Sequence, residues 1–137
     1  AIREVGARRT GTGPEFAAAA QITPATKLVV YFFSEGKECT TCEQIPLYTR
    51  AALEGNFAKE LKAGEIVWCA IDVDEPRNAH YIDEYQIFAK TIVLSRIVDG
   101  KQTRFKNLVR LWDHVNDKSA FIDFVSNEIR AELDAAA

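Results

Sequence analysis

Two six-residue apolar runs without alternation, Leu28 to Phe33 and Ile66 to Ile71, constrain this chain more than any other feature. A run with no polar alternation suits a strand covered on both faces, as in a sheet flanked by helices. Between the runs, Thr40 to about Leu61 carries Ile45, Tyr48, Ala52, Phe57 and Leu61 near one helical face. Gly55-Asn56 is expected to interrupt that helix. Glu35 and Gly36 end the first strand, and the second is predicted over Glu65 to Val73, buried and central. Strand, helix and strand in succession imply a parallel pair with a right-handed crossover.

The same reasoning carries through the rest. Pro76 suits the first residue of a helix, where its missing N–H costs nothing, and Ala79, Ile82 and Tyr85 follow at helical spacing. Thr91 to Val98 reads as a third strand. Asp99-Gly100 is a hairpin signal, with Lys101 to Lys106 returning antiparallel. Lys118 to Leu133 closes the chain as a helix with Phe121, Phe124, Val125, Ile129 and Leu133 as its buried stripe, capped by Asp117. The order β-α-β-α-β-β-α predicts an α/β fold with a mixed four-stranded sheet and helices on both faces. The 137 residues suit one domain. Residues 1–26 read as a flexible linker, because Gly6, Gly11, Gly13, Pro14 and scattered arginines show no periodicity. Residues 27–137 form the domain, expected to be a monomer.

Charge and composition narrow the function classes. The formal net charge is −3 with no basic stripe, so no nucleic-acid partner is expected. No stretch approaches the roughly 18 apolar residues of a membrane helix. Three cysteines are too few for a disulfide scaffold, and an odd number leaves at least one thiol outside any intrachain bridge. The chain starts at Ala1 and contains no Met. That start suits a chain that was processed or excised from a longer protein, and a removed signal peptide or membrane anchor is compatible with either.

The chemistry concentrates in Cys39-Thr40-Thr41-Cys42, placed just past the first strand where a helix opens. A helix N-terminus presents N–H groups and partial positive charge that stabilise a thiolate. The thiolate is the nucleophile of disulfide exchange. A two-residue spacer lets the second sulfur resolve a mixed disulfide. Glu38 and Glu43 flank the motif and oppose thiolate formation. A structural disulfide and a metal site are the competing readings of the pair.

Leu28 to Leu133 resembles a thioredoxin-fold protein over most of its length, through VVYFF, CTTC, IDVDEP, YQIFAKTIVL, the DGK turn and the last helix. The resemblance implies that Cys39 attacks and Cys42 resolves, with their disulfide as the redox group and no separate cofactor. Departures are visible. Glu38 stands where thioredoxins usually carry Trp, and Thr40-Thr41 where they carry Gly-Pro. Lys90-Thr91 replaces the dipeptide with the cis-proline, Phe33 or a neighbour replaces the buried acid, and Pro46 is one position closer to the motif. These changes argue against a general-purpose thioredoxin. A narrower resemblance is to a bacterial family of nitrophenyl-arsenical nitroreductase subunits, carried by Cys39, Thr41, Cys42, Thr49, Arg50, Lys90, Asn107 and Trp112. It implies an extracytoplasmic, periplasmic or membrane-anchored domain working with arsenical efflux; the alternative compartment is the cytoplasm. The partners implied are a disulfide or dithiol protein and a membrane-associated reductase.

Other residues have plainer readings. Cys69, inside the second apolar run, is expected to be buried and inert. Its alternatives are a redox partner or a third thiol donor in a module that grips soft metal or an arsenical. No metal site is expected otherwise, since His80 and His114 lack ligand spacing. Asp72, Asp74 and Glu75 are expected to cap and solvate the second strand's end. Trp112 reads as a core or rim aromatic. Lys90, Thr91, Glu38, Thr40 and Thr41 are the candidate substrate- or nucleophile-tuning residues, with Lys90 placed either against the motif or, more ordinarily, in solvent.

Overall fold

The computed structural model describes residues 26–35 and 40–135, with side chains in the second segment from residue 43 onward. The linker read over residues 1–26 therefore lies outside the described residues except for Thr26, which opens the first strand. The strands are β1 (Thr26–Ser34), β2 (Ile66–Asp72), β3 (Thr91–Val98) and β4 (Lys101–Asn107). The helices are α1 (Thr40–Asn56), α2 (Ala58–Lys62), α3 (His80–Tyr85) and α4 (Lys118–Ala135), with 3-10 turns at Pro76–Asn78 and Val109–His114.

The strand order is β2-β1-β3-β4. β1 and β2 run parallel from Leu28↔Ile66 to Ser34↔Asp72. β1 and β3 run antiparallel from Thr26↔Val98 to Phe33↔Thr91, and β3 pairs antiparallel with β4. Asp99 and Gly100 both have positive φ, 51° and 82°. That is the primed turn whose twist matches its strands. The fold is α/β and thioredoxin-like, a mixed four-stranded sheet with helices on both faces.

Alternation along β1 builds two cores. Leu28, Val30 and Phe32 join Ile66, Ile92 and Leu94 beneath Ile45, Leu53, Phe121, Val125 and Ile129 of α1 and α4. Phe33 joins Val93 beneath Tyr85 and Ile87, with Tyr31, Ile71 and Tyr81 packed against them. Helix α1 is pinned to α4 by the edge of Tyr48 on Phe121, 5.7 Å between centroids, and by Asn56 Nδ2 donating to Ser126 Oγ at 2.9 Å. Asp117 caps α4 as expected, its Oδ1 accepting from the Ala120 N–H at 3.1 Å.

Three expectations need correction. Strand β2 is the outermost strand among the described residues, and most of its residues are half-buried where full burial was expected. A continuous apolar run signals cover on both faces but says nothing about a second neighbouring strand. Pro76 does not open an α-helix: α3 begins only at His80, and Ala79 and Ile82 are exposed while Tyr85 is buried. The turn over Pro76–Asn78 is 3-10, which changes the helical phase. Tyr81 and Tyr85 meet the sheet instead, with Phe33 5.1 Å and 5.7 Å from them. Finally, α1 runs through Gly55-Asn56, and the break falls at Phe57 (φ −134°), whose ring is buried.

Candidate functional site

The end of β1, the end of β2 and the start of β3 lie at one end of the sheet. Ser34 is in register with Asp72 and Phe33 with Thr91, and the Val73 N–H donates to the Ser34 carbonyl at 2.9 Å. The chain leaves β1 at this end and begins α1 at Thr40. Cys42 is thus in the first turn of α1 and Cys39 immediately precedes it in sequence. Glu38 and Cys39 lie outside the described residues. Thr40, Thr41 and Cys42 are described as helical backbone only.

Proline shapes this helix start. Pro46 has no N–H to give the carbonyl of Cys42, four residues earlier, so that carbonyl loses its intrahelical donor. Just past the proline, buried Thr49 donates its hydroxyl to the Ile45 carbonyl at 2.7 Å. Glu43 is exposed in the first turn. Its charge suits the helix N-terminus while opposing a neighbouring thiolate.

At the start of β3, Lys90 and Thr91 are both buried, Lys90 to 8% exposure and Thr91 to 2%. Solvent is therefore not where Lys90 sits. Successive carbonyls along a strand turn to opposite sides. The Ile92 carbonyl faces β4's end and accepts from the Leu108 N–H at 2.8 Å. The Lys90 carbonyl, on the same side, accepts from the indole Nε1–H of Trp112 at 3.0 Å. Trp112 stands at the protein's rim, 36% exposed, on a 3-10 turn anchored by fully buried Leu111. Asn107 completes the junction. Its Oδ1 accepts from the Thr91 hydroxyl at 2.7 Å, and its Nδ2 donates to the carbonyls of Tyr85 and Gln86 at 3.0 Å and 3.3 Å. The residues matter here through backbone they hold, a role the sequence does not advertise. The only sequence signal was the resemblance that named Asn107 and Trp112.

The remaining candidates do not join this group. Cys69 is half-buried, not buried as expected. It is in register with Tyr31, hence on the face under α3 and not the face under α1. Asp72 holds its own turn, accepting from the Asp74 N–H at 2.9 Å, and Glu75 pairs with Arg77 at 3.0 Å. His80 contacts Glu84 at 2.8 Å, and the His114 ring lies 5.1 Å from Phe124. Among the described residues no three His, Cys, Asp or Glu side chains are grouped so as to hold a metal ion. Nor is any described helix long and apolar enough to cross a membrane.

One titratable group on the α3 face is strongly perturbed. Burial pushes the Tyr85 phenol up to about 12, with Tyr81 and Glu84 adding to the rise and a hydrogen bond with Ser95 opposing it. Tyr85 donates to Gln102 Oε1 at 2.6 Å, the same oxygen that accepts from Ser95 at 2.6 Å.

No protein-family model matches the chain. No curated protein sequence matches it. Among solved structures, the chain is similar to thioredoxin from Fasciola hepatica (19% identity, TM-score 0.41, covering 73% of this chain and 86% of that one). It is similar to a wild-type poplar thioredoxin h (23% identity, TM-score 0.42, covering 74% and 82%). A third similar structure is oxidised thioredoxin O2 from Arabidopsis thaliana (18% identity, TM-score 0.40, covering 74% and 84%).

Proposed function

We propose that this chain is a thiol–disulfide oxidoreductase or electron-transfer subunit whose reacting pair is Cys39 and Cys42. The observation that carries the reading is the position of the Cys-x-x-Cys sequence, which bridges the C-terminal end of β1 and the first turn of the 17-residue helix α1. There the helix N-terminus favours a thiolate. The Cys39 thiolate attacks a partner disulfide, forming a mixed disulfide and releasing one partner thiolate, which takes up a proton. The Cys42 thiolate then attacks the Cys39 sulfur, closing the Cys39–Cys42 disulfide and expelling the second partner thiolate. Two electrons pass from the protein dithiol to the partner disulfide, and the reverse sequence oxidises the protein's partner instead.

Lys90, buried beside Thr91 at this end of the sheet, acts in this reading as the cation that tunes Cys39; Glu38, Thr40 and Thr41 shape its surroundings. The finer assignment is an extracytoplasmic subunit that serves arsenical resistance alongside a membrane-associated reductase, and it draws on the resemblance alone. The competing soft-metal or arsenical-binding module needs a third thiol. Cys69 is the one available, and its place on the opposite sheet face from α1 counts against that module.

The test is equilibration of the full chain with glutathione redox buffers, followed by mass spectrometry. A reversible Cys39–Cys42 disulfide in the wild type, absent in Cys39→Ser, and a trapped mixed disulfide in Cys42→Ser are the expected results. A dithiol that never cycles, or a pair that binds a soft cation in place of exchanging, sinks the proposal.

A further inference from the structure

We infer that Trp112 is a positioning residue for the redox pair, acting through the Lys90–Thr91 peptide; the inference rests on the thiol–disulfide reading above. The β3–β4 ladder ends in register at Val93↔Asn107. One more main-chain bond follows, from Leu108 N–H to the Ile92 carbonyl. After it the chain turns into the 3-10 segment Val109–His114 and no longer runs beside β3. The next carbonyl on that side of β3 belongs to Lys90, and an indole N–H meets it where a strand's amide would stand. Trp112 thus extends the ladder by a side chain. It fixes the peptide plane that joins Lys90 to Thr91.

That peptide matters because of its neighbours. Thr91 is in register with Phe33, so the plane sits at the end of the sheet from which the chain proceeds to the Cys-x-x-Cys sequence. A tryptophan at the rim with its ring partly in solvent contributes less burial than a core aromatic. Its N–H is its specific contribution. Asn107 holds the other side of the same junction, through the Thr91 hydroxyl. One side chain from the end of β4 and one from the 3-10 segment after it therefore hold the peptide on either side of Thr91 and Lys90.

The test compares reduction potentials of the Cys39–Cys42 couple in the full chain. Trp112→Phe keeps an aromatic ring and removes the N–H. Freeing Lys90 weakens its support of the thiolate, so the reduced form loses stability. The expected change is about threefold in the equilibrium with glutathione, about 15 mV more negative. On a Lys90→Ala background the same substitution leaves the potential unmoved, since residues acting through one group are not additive. Val115→Ala, a buried neighbour outside the junction, lowers stability without moving the potential. An unchanged potential in Trp112→Phe overturns the inference. So does an equal shift in Val115→Ala, or a full shift surviving in the double variant. A wild type with no reversible couple overturns the underlying reading as well, and that result appears before any variant is made.

Discussion

Thr91 and Asn107 meet diagonally at the end of the β3–β4 pair, the Thr91 hydroxyl donating to Asn107 Oδ1 at 2.7 Å while the Asn107 amide nitrogen holds the carbonyls that end α3. Gln86, whose carbonyl is one of these, sits in the left-handed region with φ 57°. The Asn107 side chain thereby ties a strained helix end to the first residue of β3. Asn107→Ala removes all of these bonds at once. The expected cost is about 2 kcal/mol, since each net hydrogen bond contributes about 1 kcal/mol or less at a partly buried site. Denaturant unfolding checks this. A loss below about 0.5 kcal/mol would mean that water replaces the amide without penalty.

Lys90 carries the second prediction. Lysine rarely sits at 8% exposure without a partner for its charge. In the proposed reading that charge supports the Cys39 thiolate against Glu43 and Glu38. Lys90→Ala should then raise the midpoint of the Cys39 alkylation profile by about one unit. The rate at neutral pH falls by only about threefold, because a more basic thiolate is also more nucleophilic. Iodoacetamide kinetics across pH measure both quantities. An unmoved midpoint would remove Lys90 from the chemistry.

Much of this fold is legible in the sequence, and what was not has a common cause. Strand β3 and its turn were readable because Thr91 to Val98 is rich in β-branched residues and Asp99-Gly100 takes two positive φ angles. The Asp117 cap was readable because its signal is local. The location of Cys-x-x-Cys between a strand and a helix was readable from spacing. Neighbourhoods across the sheet were not. Whether the apolar run over Ile66 to Ile71 is central or at an edge depends on which strand lies beyond it. The phase of α3 depends on a single 3-10 turn. The burial of Lys90, and the junction of Asn107 with Tyr85, Gln86 and Thr91, join residues from three separate elements, and no local pattern encodes that meeting.

Cys69 follows from the half-burial of β2. A cysteine in a fully covered strand would resist modification until the protein unfolds. On β2, half-buried, it is open to native-state chemistry. A small alkylating reagent should therefore label Cys69 in the folded protein, more slowly than the thiol of an unfolded chain. Peptide mapping by mass spectrometry after a timed pulse gives the rate. Complete protection in native buffer would contradict the half-buried setting of Cys69. Cys69→Ala should cost about 1 kcal/mol or less, as little apolar surface is lost.

Tyr85 ties the stability of the fold to alkaline pH. Burial raises its pKa from 10.0 to about 12 in the folded protein. The unfolded phenol ionises near the ordinary value. Between these two pKa values the folded state holds a proton that the unfolded state has released. Stability from this group is therefore complete below pH 10 and is lost as pH rises toward 12. The loss amounts to roughly 2 kcal/mol across the window. Tyr85→Phe removes the titration, so its stability stays flatter over the same range while its neutral-pH stability drops through loss of the bond to Gln102. Urea unfolding of both proteins between pH 8 and pH 12, read by tryptophan fluorescence, measures the difference. The comparison is between the two proteins at each pH and not between pH values in one, so that groups common to both cancel. If the wild type and Tyr85→Phe lose stability in parallel, the phenol at Tyr85 is not the group that burial protects.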